Sequence, residues 1–139
     1  MKVVIDIDDY ILDTDICSYI IKGTSSVLLQ NLELHAQDDI SITAITYAEL
    51  LFGAEKKQSR KIQNKIEAIA SIVGIIAFNQ NAEREYAKIR TELEKAGTPI
   101  GNMDILIASC AIAEDAVLVT NNERHFSNIK KLQIENWTQ

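Results

Sequence analysis

Proline and glycine are scarce in this chain, one and five among 139 residues. That scarcity argues against linkers, low-complexity tracts and a fibrous fold. No apolar stretch approaches the ~20 residues that a membrane-spanning helix requires. No basic start leads into a long apolar run with a small-residue cleavage site, so secretion is not expected and a cytoplasmic location follows by exclusion. The two cysteines, Cys17 and Cys110, form no ligand-spacing motif. With no sign of export, they are expected to be reduced thiols near helices. His35 and His125 are the only histidines, and neither falls in a zinc pattern. A glycine-rich phosphate loop is missing too, which lowers ATPase and dehydrogenase readings.

Basic residues are in the minority, 14 Lys and Arg against 20 Asp and Glu, for a formal net charge of -6. A nonspecific nucleic-acid binder would ordinarily be basic, so a broad electrostatic grip on a polyanion is not expected. RNA is still allowed, because a metal site concentrates carboxylates that divalent ions partly neutralise. An acidic surface also suits a basic protein partner.

What is present reads as one domain, long enough for a real core and with an ordinary hydrophobic share of 47%. Tyr10-Ile11-Leu12 has the composition of a buried strand end. Asp6, Asp8 and Asp9 interrupt the segment before it, so Met1 to Asp9 is either a leader or a strand extension, and these acids are poor site candidates. Thr14 or Asp15 can cap a helix through Ile16, Tyr19, Ile20 and Ile21, which Gly23 can end. Ser25 or Ser26 opens a second helix through Leu28 and Leu32 to His35. Ile40 to Ile42 is a short strand, and Thr46 caps the next helix with Glu49 at the capping-box spacing. Ser59 to Ser71 is an amphipathic surface helix, followed by a strand over Val73 to Phe78. Asn79 or Asn81 begins a long helix that Gly97 and Pro99 stop. Asn102 can cap a nearly continuous apolar helix from Met103 to Ala113, which must be largely buried. Val117 to Val119 is a buried strand, Asn121-Asn122 a turn, and Leu132 to Glu135 a final edge strand. Strands separated by helices predict an α/β sandwich around a mostly parallel sheet.

In such a sheet, chemistry gathers outside the carboxyl ends of the strands. Asp13 follows the first strand, Asp104 opens the apolar helix, Glu49 lies early in its helix, and Asn121-Asn122 follow a strand end. Each acid also has a structural reading: an Asx turn or cap for Asp13, capping for Glu49, and first-turn electrostatics for Asp104. If they converge, like charges in one pocket need a cation. An all-oxygen set favours Mg²⁺ or Mn²⁺ over Zn²⁺, and the matching chemistry is phosphodiester hydrolysis or phosphoryl transfer.

Several ordered motifs then carry a resemblance across nearly the whole chain from Tyr10 onward. They are Leu12-Asp13-Thr14-Asp15-Ile16-Cys17, Ile45-Thr46-Tyr47-Ala48-Glu49-Leu50, Pro99-Ile100-Gly101 with Asp104-Ile105-Leu106-Ile107-Ala108, and Leu118-Val119-Thr120-Asn121-Asn122 with Phe126 and Glu135-Asn136-Trp137. Together they resemble the VapC-type toxin ribonucleases of the PIN-domain family. The resemblance implies a PIN-like three-layer sandwich over residues 10–139 and an Mg²⁺-dependent endoribonuclease, cytoplasmic and dimeric, held inactive by a cognate antitoxin. It maps the catalytic acids to Asp13, Glu49 and Asp104. Asp13 and Asp104 would be direct metal ligands, with Glu49 and Asn122 acting through water. It also implies RNA as substrate, tRNA among close relatives. Two positions depart from the pattern: Asn122 stands where many members have an acid, and His125 where such toxins commonly have glutamate.

Different readings compete. One is a PIN-like domain that binds RNA or a regulatory partner without cutting. Another is an Mg²⁺-dependent phosphatase using Asp13-Thr14-Asp15, against which no Lys with a matching late acidic pair is found. A dimer is expected through Ile20, Ile21, Leu28, Leu32 and Leu51, and an antitoxin tail with Arg or Lys is expected at the acidic pocket. Trp137 should anchor the tail against the core.

Overall fold

A computed structural model describes residues 9–139. The expectation for Met1 to Asp8, including Asp6 and Asp8, lies outside them. Strand β1 (Asp9–Leu12) leads into helices α1 (Thr14–Lys22) and α2 (Ser26–Leu34), then β2 (Asp39–Thr43), α3 (Ala44–Lys57), α4 (Arg60–Val73) and β3 (Ile75–Ile76). Helices α5 (Gln80–Lys95) and α6 (Asn102–Ala113) precede β4 (Val117–Val119), a single turn α7 (Glu123–Phe126) and β5 (Ile134–Glu135).

The five strands order as β3-β2-β1-β4-β5, and every pairing is parallel. The expected α/β sandwich is therefore present. From β1 the chain builds outward through β2 and β3, then crosses to place β4 on the other side of β1. That reversal makes the carboxyl ends of β1 and β4 the topological switch point, where a crevice opens.

Both faces of the sheet are covered. Because successive side chains of a strand point oppositely, Tyr10 and Leu12 join a core with Ile16, Leu28 and Ile66, while Ile11 joins another with Ile89, Ile107 and Phe126. In β4, Val119 and Leu118 divide the same way. Helix α6 is buried at Ile105 and from Ile107 through Ala111, as its unbroken apolar composition required. Cys17 and Cys110 are both buried free thiols.

Several boundaries differ from expectation. Asp13, not Thr14 or Asp15, caps α1 by accepting the Ile16 N–H at 2.9 Å. Thr43, not Thr46, caps α3 and accepts the Thr46 N–H at 3.1 Å, so Thr46 is buried inside the helix and no capping box forms. Gly101 precedes α6 without a side-chain cap, and Asn102 is already helical. The strand expected over Val73 to Phe78 shrinks to Ile75–Ile76, because α4 continues through Val73 and Gly74 turns the chain at φ 84. The last strand likewise covers only Ile134–Glu135. Of the residues expected at a dimer face, Leu28 is fully buried, whereas Ile20, Ile21, Leu32 and Leu51 are partly buried at the edge of the core.

Trp137 does anchor the tail. Its ring stacks on His35 at 4.3 Å and 4°, lies 5.0 Å from Tyr10, and its Nε1 donates to Glu135. The Asn31 side chain donates to its carbonyl at 2.9 Å, tying α2 to the tail.

Candidate active site

Asp13 leaves β1 at the switch point, and its N–H donates to the Val119 carbonyl at 3.0 Å, fastening the ends of β1 and β4 together. Its side chain is only 5% exposed. Capping should favour the ionised form, as should the nearby Thr120 side chain, yet burial outweighs both and raises the carboxyl from 3.8 to about 6. The charges of Asp15 and Asp104 push in the same direction as burial. Asp13 is thus both a cap and a strained acid.

Asp104 sits in the first turn of α6, half-buried. Burial raises its carboxyl above the ordinary value, His125 opposes that, and Asp15 adds to it. Its Oδ2 lies 3.1 Å from His125 Nε2. The pair is at ion-pair distance but not aligned as a hydrogen bond, so the buried Nε2 has no hydrogen-bond partner. Asn121 Oδ1 is a second buried atom without one, although its Nδ2 donates to the Tyr19 hydroxyl at 2.9 Å. Asn122, by contrast, is exposed, and its N–H donates to Thr120 Oγ1 at 3.0 Å.

Glu49 approaches from α3. Thr14 Oγ1 donates to its Oε1 at 2.7 Å and also meets Thr46 Oγ1 at 3.1 Å. Through Thr14, the residue after Asp13, Glu49 is held one residue from the acids at the switch point. Asp13 and Asp104 interact directly through their charges. Asp15, expected only as a helix cap or within a phosphatase-like Asp13-Thr14-Asp15 triplet, repels both acids of the pocket. Thr120 beside Asp13 was legible only as part of the Leu118 to Asn122 motif and was given no role of its own.

Among the described residues, no group of three or more His, Cys, Asp or Glu side chains is disposed to hold a metal ion. The donors fit a hard divalent cation bound through one or two carboxylates, which characteristically keeps several waters. The mutually repelling acids at the switch point are the feature such an ion would relieve.

The PIN domain model matches residues 10–132. The chain is a PIN-domain protein of the VapC type. Ribonuclease VapC2 of Rickettsia felis is 45% identical over 92% of this chain and 97% of its own length. The tRNA(fMet)-specific endonuclease VapC of Shigella flexneri is 32% identical over 93% of this chain and 98% of its own. Among solved structures, VapBC2 from Rickettsia felis bound to a DNA fragment from its promoter superimposes with a TM-score of 0.88 at 44% identity, covering 93% and 98% of the two chains. No helix of this PIN-domain protein is long and apolar enough among the described residues to cross a membrane.

Proposed function

We propose that residues 10–139 act as an Mg²⁺-dependent endoribonuclease toxin hydrolysing RNA phosphodiester bonds. The observation that carries this reading is the buried Asp13 carboxyl, raised to about 6 at the switch point beside the charge of Asp104. A fold does not bury one acid beside a second, half-buried acid at a crevice for stability's sake. Asp13 and Asp104 would hold the ion, with Glu49 and Asn122 contributing through water, and Mn²⁺ would substitute for Mg²⁺ on this all-oxygen set. The ion supplies Lewis-acid stabilisation of the phosphate and acidified water. Asp13 is fixed for its role by the Ile16 N–H and the backbone tie to Val119. Glu49, oriented by Thr14, is the base for the attacking water's proton. His125 lies against Asp104 and restricts where that carboxylate points.

The substrate class we assign is tRNA, supported by the named specificity of the Shigella relative. A cognate antitoxin as inhibitor is supported by the VapBC complexes among the similar structures. A homodimer is supported by exposed apolar side chains: Phe52 is 67% and Met103 53% exposed, and both line an apolar groove with Ile45 and Leu106.

The test is Asp104→Asn with an RNA pool and Mg²⁺. The variant should fold with native-like circular dichroism, lose cleavage, and show a smaller Mg²⁺-induced rise in melting temperature. Loss of a first-turn charge costs only about 0.3–1 kcal/mol, so unfolding is not expected. A folded variant cutting at the wild-type rate under sub-saturating Mg²⁺ removes Asp104 from the mechanism. A wild-type protein that binds RNA but never cuts it supports the non-cleaving reading instead.

A further inference from the structure

A second cavity, of about 460 Å³, lies among α1, α3 and α4. Its lining includes Thr14 and Glu49, so it adjoins the acidic site, and Glu49 is the sole acid in it. Lys22, Lys57, Lys61 and Lys65 also line it, against an apolar wall that includes Leu50, Ile62 and Ile66. In a chain of net charge -6 this is a local reversal of sign.

The lysines are not there to neutralise acids. Among the described residues none of them forms an ion pair; Lys65 Nζ instead donates to the Ile21 carbonyl at 3.4 Å. Lys22 and Lys57 stand in the last turns of α1 and α3, where the helix dipole favours a cation. Lys61 has no such excuse, since it lies in the first turn of α4, where the dipole opposes it and no acid offsets it. Lys61 and Lys65 are also four residues apart on one helix, a spacing at which like charges repel. An anion in the cavity would relieve both costs.

We propose that this cavity seats the backbone of single-stranded RNA next to the cleavage site, its phosphates on the four lysines and its bases or sugars against the apolar wall. The inference rests on the ribonuclease reading above. Charges contributed from three helices suit a run of phosphates, and the shared Thr14 and Glu49 put the cavity beside the bond to be cut. An acidic amphipathic segment of a partner protein is the competing occupant.

The experiment measures anisotropy of a short fluorescein-labelled single-stranded RNA with the full chain in EDTA, across a range of NaCl. The wild type is compared with a triple variant, Lys57→Gln, Lys61→Gln and Lys65→Gln, checked by thermal unfolding. Each lysine on a phosphate contributes about 0.7 to the slope of log affinity against log salt, so the triple variant should lose about 2. Should the triple variant misfold, single Lys61→Gln and Lys65→Gln variants should each lose about 0.7. Unchanged affinity and slope overturn the proposal. So does a variant that keeps RNA binding but loses an acidic peptide, which would assign the cavity to a protein. Cleavage of the same RNA with Mg²⁺ separates the two failures. A wild type that cuts while the slopes stay equal sinks only the cavity, whereas one that neither binds nor cuts any RNA sinks the ribonuclease reading too.

Discussion

Replacing Asp13 by Asn should stabilise the metal-free protein at neutral pH, and the gain should vanish in acid. Well below 3.8 the Asp13 carboxyl is protonated in both folded and unfolded chains, and it exerts no penalty. Between an ordinary 3.8 and the folded value of about 6, the unfolded chain loses this proton first. The folded state then binds more protons than the unfolded one, so stability falls as pH rises, levelling off above about 6. At about 1.4 kcal/mol per pH unit, the full loss is about 3 kcal/mol, or on the order of 10 °C in melting temperature. Asn keeps the cap on the Ile16 N–H, because Asn and Asp cap helices about equally well. Urea unfolding in EDTA from pH 4 to pH 8 measures the difference between the two proteins. Added Mg²⁺ should reverse the order by stabilising only the wild type. A variant whose stability tracked the wild type across the whole pH range in EDTA would refute the claim that burial strains Asp13.

Three further substitutions probe other contacts. Thr14→Val removes the 2.7 Å bond to Glu49, and steady-state cleavage should show lower kcat at a stability cost of about 1 kcal/mol by urea unfolding. Phe52→Glu should convert a dimer to a monomer in sedimentation velocity while leaving the circular dichroism spectrum unchanged, because Phe52 is 67% exposed. Trp137→Ala empties a site that is 3% exposed, and denaturant unfolding should show a loss of about 3–5 kcal/mol.

Element order and type were largely legible because the apolar patterns were strong. The α6 run from Ile105 to Ala111 could only be a buried helix, and Val117–Val119 emerged with its expected bounds. Helix starts were harder to read, since Asp13, Thr14 and Asp15, or Thr43 and Thr46, are all competent caps. What chose between them was where the preceding strand stopped, a tertiary matter. Of the candidate site, Asp13 was expected at the sheet's carboxyl end because it directly follows a strand, and Asp104 because it opens the apolar helix before β4. The Thr14–Glu49 bond and the His125–Asp104 contact were not legible, because each joins elements whose spacing the sequence does not encode.

The Trp137 anchor has a consequence for the order in which the molecule can form. Tyr10 and His35, near the start, meet each other at 4.8 Å, but the third ring of their cluster, Trp137, is synthesised some hundred positions later, as the 106-residue separation of the Asn31–Trp137 contact makes explicit. β1 meets the same delay on its other edge, since its partner β4 arrives only at Val117–Val119. A nascent chain therefore carries a central strand with one edge unpaired and an aromatic surface bare until most of it has been made. Such contacts, distant in sequence, make folding slow and leave the growing chain open to aggregation or to capture by a chaperone. Since β4 and the crevice beside it are completed in the same late step, the acids at the switch point come together only when translation is almost over.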